Sequence, residues 1–271
     1  AGLARQISAR GAHPGIWVRL LWNRDPAIPQ EWRSRRDPEY LDPTVPGVLD
    51  YVKEDIRTLR RWGYTLIKHD FSTFDIFGRW GFQMGHTVTD PGWRFADESV
   101  TSAEAVLGLY EAILSAAGGA LILGCNCMGH LGAGLMHLNR TGDDTSGRQW
   151  ERTRKMGVNT LAFTLPQHQA FFAIDADCVG VTGEIPWEQN RQWLRLLAGS
   201  GTPLFASIRP GVLNAAQEQE VRAAFAVAFR GEGEAVPLDW QNTTCPESWL
   251  LSHRREGFCW LPREGLISLD T

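Results

Sequence analysis

Paired cysteines, a surplus of positive charge and long apolar runs are all missing from this 271-residue chain. Five cysteines, an odd count with no CxxC ladder, argue against a disulfide framework. Cys125 and Cys127 lie two apart with His130 just beyond, a spacing that invites a metal. No second Cys/His pair follows at zinc-finger distance, so no metal site is assigned. A formal charge of -4 leaves no basic excess to neutralise phosphates, which argues against a nucleic-acid partner. No apolar run approaches the ~20 residues that a membrane span needs. The opening AGLARQISARGAHPG lacks the apolar stretch of a signal peptide. No GxGxxG or GxxxxGK[ST] follows a predicted strand, which removes the usual nucleotide cradles. Tyrosine is scarce, with four against twelve tryptophans. Flat apolar rings suit sugar-binding clefts, although any single tryptophan is more often core filler.

What the chain does contain is an alternation of short apolar runs with amphipathic segments, the rhythm of a parallel β/α array. GIWVRLLW (15–22), YTLIKHD (64–70), ALILGCN (120–126), GLMHLN (134–139), FFAIDADCVGV (171–181) and TPLFASI (202–208) read as strands. Helices are expected over 48–63, where Val48, Val52, Ile56, Leu59 and Trp62 keep helical spacing, and over 102–119, with Ser102 as N-cap. Further helices are expected over 147–157, 187–199 and 217–229. From Pro237 the rhythm stops, and LDW, CPESW and FCWLP suggest the start of a small β-rich unit. The expected division is a barrel over 1–235 and a β-rich segment over 236–271. Neither internal repeats nor low-complexity segments are present.

The acids decide between an open sheet and a barrel. Asp70, Asp143, Asp144, Asp175 and Asp177 all fall at or near the C-terminal ends of predicted strands. In a (β/α)8 TIM barrel those ends gather on one face and form the active site. Two carboxyl groups across a cleft are the minimum equipment for cleaving a glycosidic bond: one protonates the leaving oxygen, the other attacks the anomeric carbon or activates water. Lys68 and Asp70, two apart on one strand, point the same way. An ammonium there favours an ionised carboxylate and can donate to sugar hydroxyls. Arg140, ahead of the Asp143–Asp144 pair, offers a guanidinium for the same tasks. Read without further context, Asp70 serves equally as a loop cap, and GDDTSG is good turn chemistry in itself.

IKHDFST resembles the strand-four motif of glycoside hydrolase families 27 and 36, the melibiases or α-galactosidases, in which Lys-x-Asp carries the nucleophile. RTGDD resembles their strand-six Arg-x-x-x-Asp, whose last residue is the acid/base. Counting from Arg140 selects Asp144; the Ser-Asp-x-Thr form of the motif selects Asp143. FAIDADCVG resembles strand seven, TPLFAS strand eight and GIWVRLL strand three. The resemblance runs in order from about residue 14 to about 240. It implies that strands one and two, with the acids that bind the outer hydroxyls, are supplied by a longer protein or by a second chain that completes the barrel. CNCMGH in place of the usual strand five, and Ala176 in place of proline, are departures that bear on substrate identity.

The implied function is retaining hydrolysis of an α-galactoside. Asp70 forms the glycosyl-enzyme, and Asp144 or Asp143 acts as acid and then base across a gap of roughly 5–5.5 Å. Lys68, Arg140, Trp17, Cys125 and Asp177 are the candidate sugar-binding residues, Asp177 more as a supporting acid than as a direct ligand. His69 alternates away from Asp70 and is expected behind the barrel or in its wall. The chemistry needs no cofactor. The alternatives are a transglycosylase using the same site, a non-catalytic sugar-binding barrel, and a metal-dependent hydrolase built on His130, His137 and Asp70. Cytoplasmic and secreted settings fit the composition equally.

Overall fold

A computed structural model describes residues 1–84 and 87–261. It divides into two compact units, Ala1–Asn139 and Arg140–Thr271, each with its own core.

The first unit runs α1 (Gly2–Ser8), β1 (Gly15–Val18), α2 (Pro46–Arg61), β2 (Leu66–His69), α3 (Ser72–Phe77), α4 (Ser102–Ala117), β3 (Leu121–Gly124) and β4 (Leu138–Arg140), whose last residue opens the second unit. Its strands lie side by side in the order β1-β2-β3-β4, all parallel. Crossover helices explain the direction, because a parallel neighbour can be reached only by a long return. Proline at the start of α2 suits its first turn, and Val48, Val52, Ile56 and Leu59 form the buried stripe. That stripe packs against α4. The cap of α4 differs from the expected Ser102: Thr101 accepts from the Glu104 amide while Glu104 takes the Thr101 amide, a complete capping box.

Register places Ile16 beside Ile67 and Ile67 beside Ile122, and these side chains join the helix-side core. Trp17, Lys68 and Leu123 align one residue later, so they project from the opposite face. β1 is shorter than the expected 15–22: after Val18 the chain leaves the parallel sheet, and Trp22 bridges Tyr40 in antiparallel fashion.

In the second unit, α5 (Trp150–Arg152) continues through a π-helical stretch, Thr153–Asn159, into α6 (Thr160–Thr164). β5 (Ala173–Asp175), β6 (Cys178–Val181), α7 (Trp187–Gly199), β7 (Phe205–Ile208) and α8 (Ala215–Phe229) follow. The segment expected as one strand over 171–181 is two, because Asp177 adopts φ 67° and breaks the extended run. β6 and β7 pair in parallel. β8 (Ala235–Pro237), β9 (Ser248–Leu251) and β10 (Arg254–Gly257) form a separate antiparallel sheet. Trp249, Leu251, Phe258 and Trp260 join Trp150, Trp193 and Leu197 in one core. The part of the expected β-rich segment beyond 261 lies outside the described residues.

Candidate active site

β2 ends one residue before Asp70, and the pleat that buries Ile67 and His69 turns Lys68 and Asp70 to the other face. Asp70 is only 8% exposed, and both oxygens of its carboxylate accept hydrogen bonds. Trp17 Nε1 donates to Oδ2 at 2.8 Å, and Asn126 Nδ2 donates to Oδ1 at 2.7 Å. The Phe71 amide also donates to Oδ1, at 2.7 Å. Burial alone would raise the pKa of this acid, yet the donors from Trp17, Asn126, the Phe71 amide and Cys125 outweigh it. Asp70 is held below the ordinary carboxylate range and is a stable anion at neutral pH.

Phe71 makes this possible at a local cost. It sits at φ 63°, a left-handed conformation costing on the order of 1–3 kcal/mol for a bulky residue, and it folds its amide back onto its neighbour's carboxylate. Its ring is fixed from several sides: the Arg19 guanidinium lies 4.4 Å from its centroid, Trp17 meets it edge-on and Trp80 packs at 5.3 Å. Arg19 is itself fixed by Asp75, at 2.6 Å.

Trp17 is half-exposed, with its indole N–H committed to Asp70 and the remainder of the ring at the surface. Lys68 makes no hydrogen bond or ion pair among the described residues. Cys125 is fully buried, and its thiol is one of the donors on Asp70. His69 is buried, 1% exposed, beside Tyr110 and the Cys127 thiol. Burial drives its imidazole down to about 4, with the Asp70 charge opposing. His137 takes the Ile122 amide on Nδ1 at 3.0 Å, which engages one of the nitrogens a metal would need. Asn126 was not singled out by sequence reading. Its signal was available, since it stands at the C-terminal end of β3 as Asp70 stands at the end of β2.

The second unit carries Arg140, Asp143, Asp144 and Asp177. Arg140 is buried and its Nη1 pairs with Asp144, while Asp177 Oδ1 lies 3.7 Å from the same nitrogen. Asp177 is fully engaged with the loop: its Oδ2 accepts from the Thr145 amide at 2.7 Å and the Thr145 hydroxyl at 3.0 Å. Asp143 accepts from the Asp144 amide and from Arg152 Nη2, both at 2.7 Å. Arg152 Nε adds a bond to the Asp144 carbonyl at 2.8 Å. Asp144 has the more exposed carboxyl of the pair, 64% against 53%.

Glycines let this loop lie close to its supports. A Cβ on Gly180 of β6 would stand 2.5 Å from the Gly147 amide nitrogen. One on Gly142 would stand 2.2 Å from the Met156 carbonyl in the π-helical stretch. π-Helical turns are uncommon and cluster at functional sites.

No protein-family profile matches the chain, and no curated protein matches it. Solved structures do. An α-galactosidase from Thermus thermophilus, in complex with p-nitrophenyl α-D-galactopyranoside, superposes with a TM-score of 0.62 at 17% identity over 94% of this chain and 54% of its own. An isomalto-dextranase from Arthrobacter globiformis gives 0.65 at 16% identity, over 92% and 48%. A family 27 β-L-arabinopyranosidase from Geobacillus stearothermophilus gives 0.59 at 14%, over 85% and 56%. The chain therefore spans about half the length of the solved chains it matches. At these identities the likeness is one of fold, and the fold is one that glycoside hydrolases use.

Proposed function

We propose that this chain is the greater part of the catalytic barrel of a retaining glycoside hydrolase acting on α-galactosides. Residues 1–235 would belong to the barrel and 236–271 to the start of an appended β-rich unit. The observation that carries the reading is the Asp70 carboxylate: buried, ionised, at the C-terminal end of a parallel strand, with a donor on each oxygen. A structural cap has no need of such a setting, whereas a nucleophile must stay charged in a site from which water is displaced.

In the proposed reaction Asp70 attacks the anomeric carbon while the bond to the leaving oxygen breaks, and Asp144 gives that oxygen its proton. Asp144 then takes a proton from water as the water oxygen bonds to the same carbon and the bond to Asp70 breaks. Asp144 is preferred to Asp143 because the Asp143 carboxylate is already held by Arg152 and a backbone amide. Lys68 and Arg140 would hold hydroxyls, and the exposed part of the Trp17 ring would line the cleft. Cys125, fully buried, would serve through Asp70 instead of touching the sugar. Asp177 would keep Arg140 and the Thr145 turn in place.

The test is release of p-nitrophenol from a panel of aryl α- and β-glycosides by this chain and by Asp70→Asn. Hydrolysis of the α-galactoside that falls by at least ~10³-fold in the variant supports the reading. Hydrolysis of a different α-glycoside keeps the mechanism and changes the sugar. Equal activity in both proteins removes Asp70 from the chemistry.

A further inference from the structure

The arrangement around Arg152, on the short helix α5, goes beyond assigning an acid/base. Its guanidinium makes two contacts with consecutive residues: Nη2 to the Asp143 carboxylate at 2.7 Å and Nε to the Asp144 carbonyl at 2.8 Å. Asp143 closes the ring by accepting the Asp144 amide at 2.7 Å. Both backbone polar groups flanking the Asp144 side chain are thereby fixed, the amide by Asp143 and the carbonyl by Arg152. Only the side chain remains to turn, and it reaches Arg140. The Arg152 side chain is 19% exposed, so its ion pair is partly desolvated and geometrically constrained.

We infer that Arg152 is a positioning residue: with Asp143 as its carboxylate anchor, it presents Asp144 to the leaving oxygen of the substrate. This rests on the hydrolase reading above. It assigns the two adjacent acids different tasks, Asp143 holding the backbone and Asp144 moving the proton. An Arg152 that merely stabilised the fold would affect all substrates alike. A residue that aims the proton donor matters most when the leaving group needs a proton.

The experiment measures kcat/KM for two α-galactosides, phenyl as a poor leaving group and 2,4-dinitrophenyl as a good one, in the wild-type chain, Arg152→Gln, Arg152→Lys, Asp143→Asn and Asp144→Asn. General acid catalysis contributes typically ~10²–10⁴-fold, and misaiming it forfeits a part. Arg152→Gln should lose at least ~10-fold on the phenyl substrate and less than about threefold on the dinitrophenyl one, a muted copy of Asp144→Asn. Arg152→Lys, which keeps one charged contact, should recover part of the loss. Asp143→Asn, which still offers an acceptor oxygen, should fall between wild type and Arg152→Gln. Equal losses on both substrates in Arg152→Gln, or a leaving-group dependence in Asp143→Asn as steep as in Asp144→Asn, would overturn the assignment. A wild-type chain that cleaves neither substrate would instead remove the hydrolase reading and this inference with it.

Discussion

Asp70 owes its charge to neighbours that can be removed one at a time. A hydrogen bond to an ionised group contributes about 1.5–3 kcal/mol, and each pKa unit corresponds to about 1.36 kcal/mol. Asn126→Ala deletes one donor to Oδ1 and leaves the Phe71 amide on the same oxygen. The Asp70 pKa is depressed by these bonds, so losing one raises it, and the proposed attack needs an ionised carboxylate. The acid limb of the kcat/KM profile should therefore move to higher pH, with the alkaline limb unmoved. An unchanged acid limb would show that Asn126 does not support the charge. The motifs around Lys68, Asp70 and Arg140 were legible in the sequence because they sit at strand ends. Asn126 carried the same strand-end signal; Phe71 and Arg152 were not legible, because their contacts depend on a left-handed turn and on a side chain folding back along its own loop. Strand periodicity carries no information on either.

Among elements, β2 does two tasks through one alternation, offering Asp70 to one face and burying His69 on the other. Burying an imidazole with its pKa lowered from 6.5 to about 4 ties the stability of the first unit to pH. A depressed histidine contributes stability that is present above its unfolded value, near 6.5, and is lost as pH falls through about 4. The loss from this group should approach ~3 kcal/mol across that window. Urea unfolding at pH 7 and pH 4.5 tests it: His69→Phe should flatten the difference between the two midpoints. An equally steep fall in the variant would place the acid sensitivity elsewhere. The long helices were readable because their apolar stripes are strong, and α7 lies where the spacing predicts. The failures are local. The break at Asp177 was invisible because an aspartate at φ 67° leaves the apolar pattern intact. The helix expected over 147–157 instead becomes α5 and the π-helical stretch, and a wider turn has no sequence period of its own at this length.

At the scale of the whole molecule, two units with separate cores carry the two sets of acids. The sequence conveyed the β/α order because parallel strands impose it, and it conveyed the loss of that order after Pro237 for the same reason. Sugar and linkage were not legible, since they depend on loops that carry no strand or helix period. The reaction chemistry is the more accessible claim, and its centre is a covalent bond to Asp70. That claim is tested most directly by exposing the chain to a fluorinated α-galactosyl fluoride that stalls at the glycosyl-enzyme, then mapping the label by peptide mass spectrometry. The account predicts one added sugar, on the peptide containing Asp70, and none in Asp70→Asn. A label on a different carboxylate, or steady hydrolysis of α-galactosides with Asp70 never modified, would contradict it.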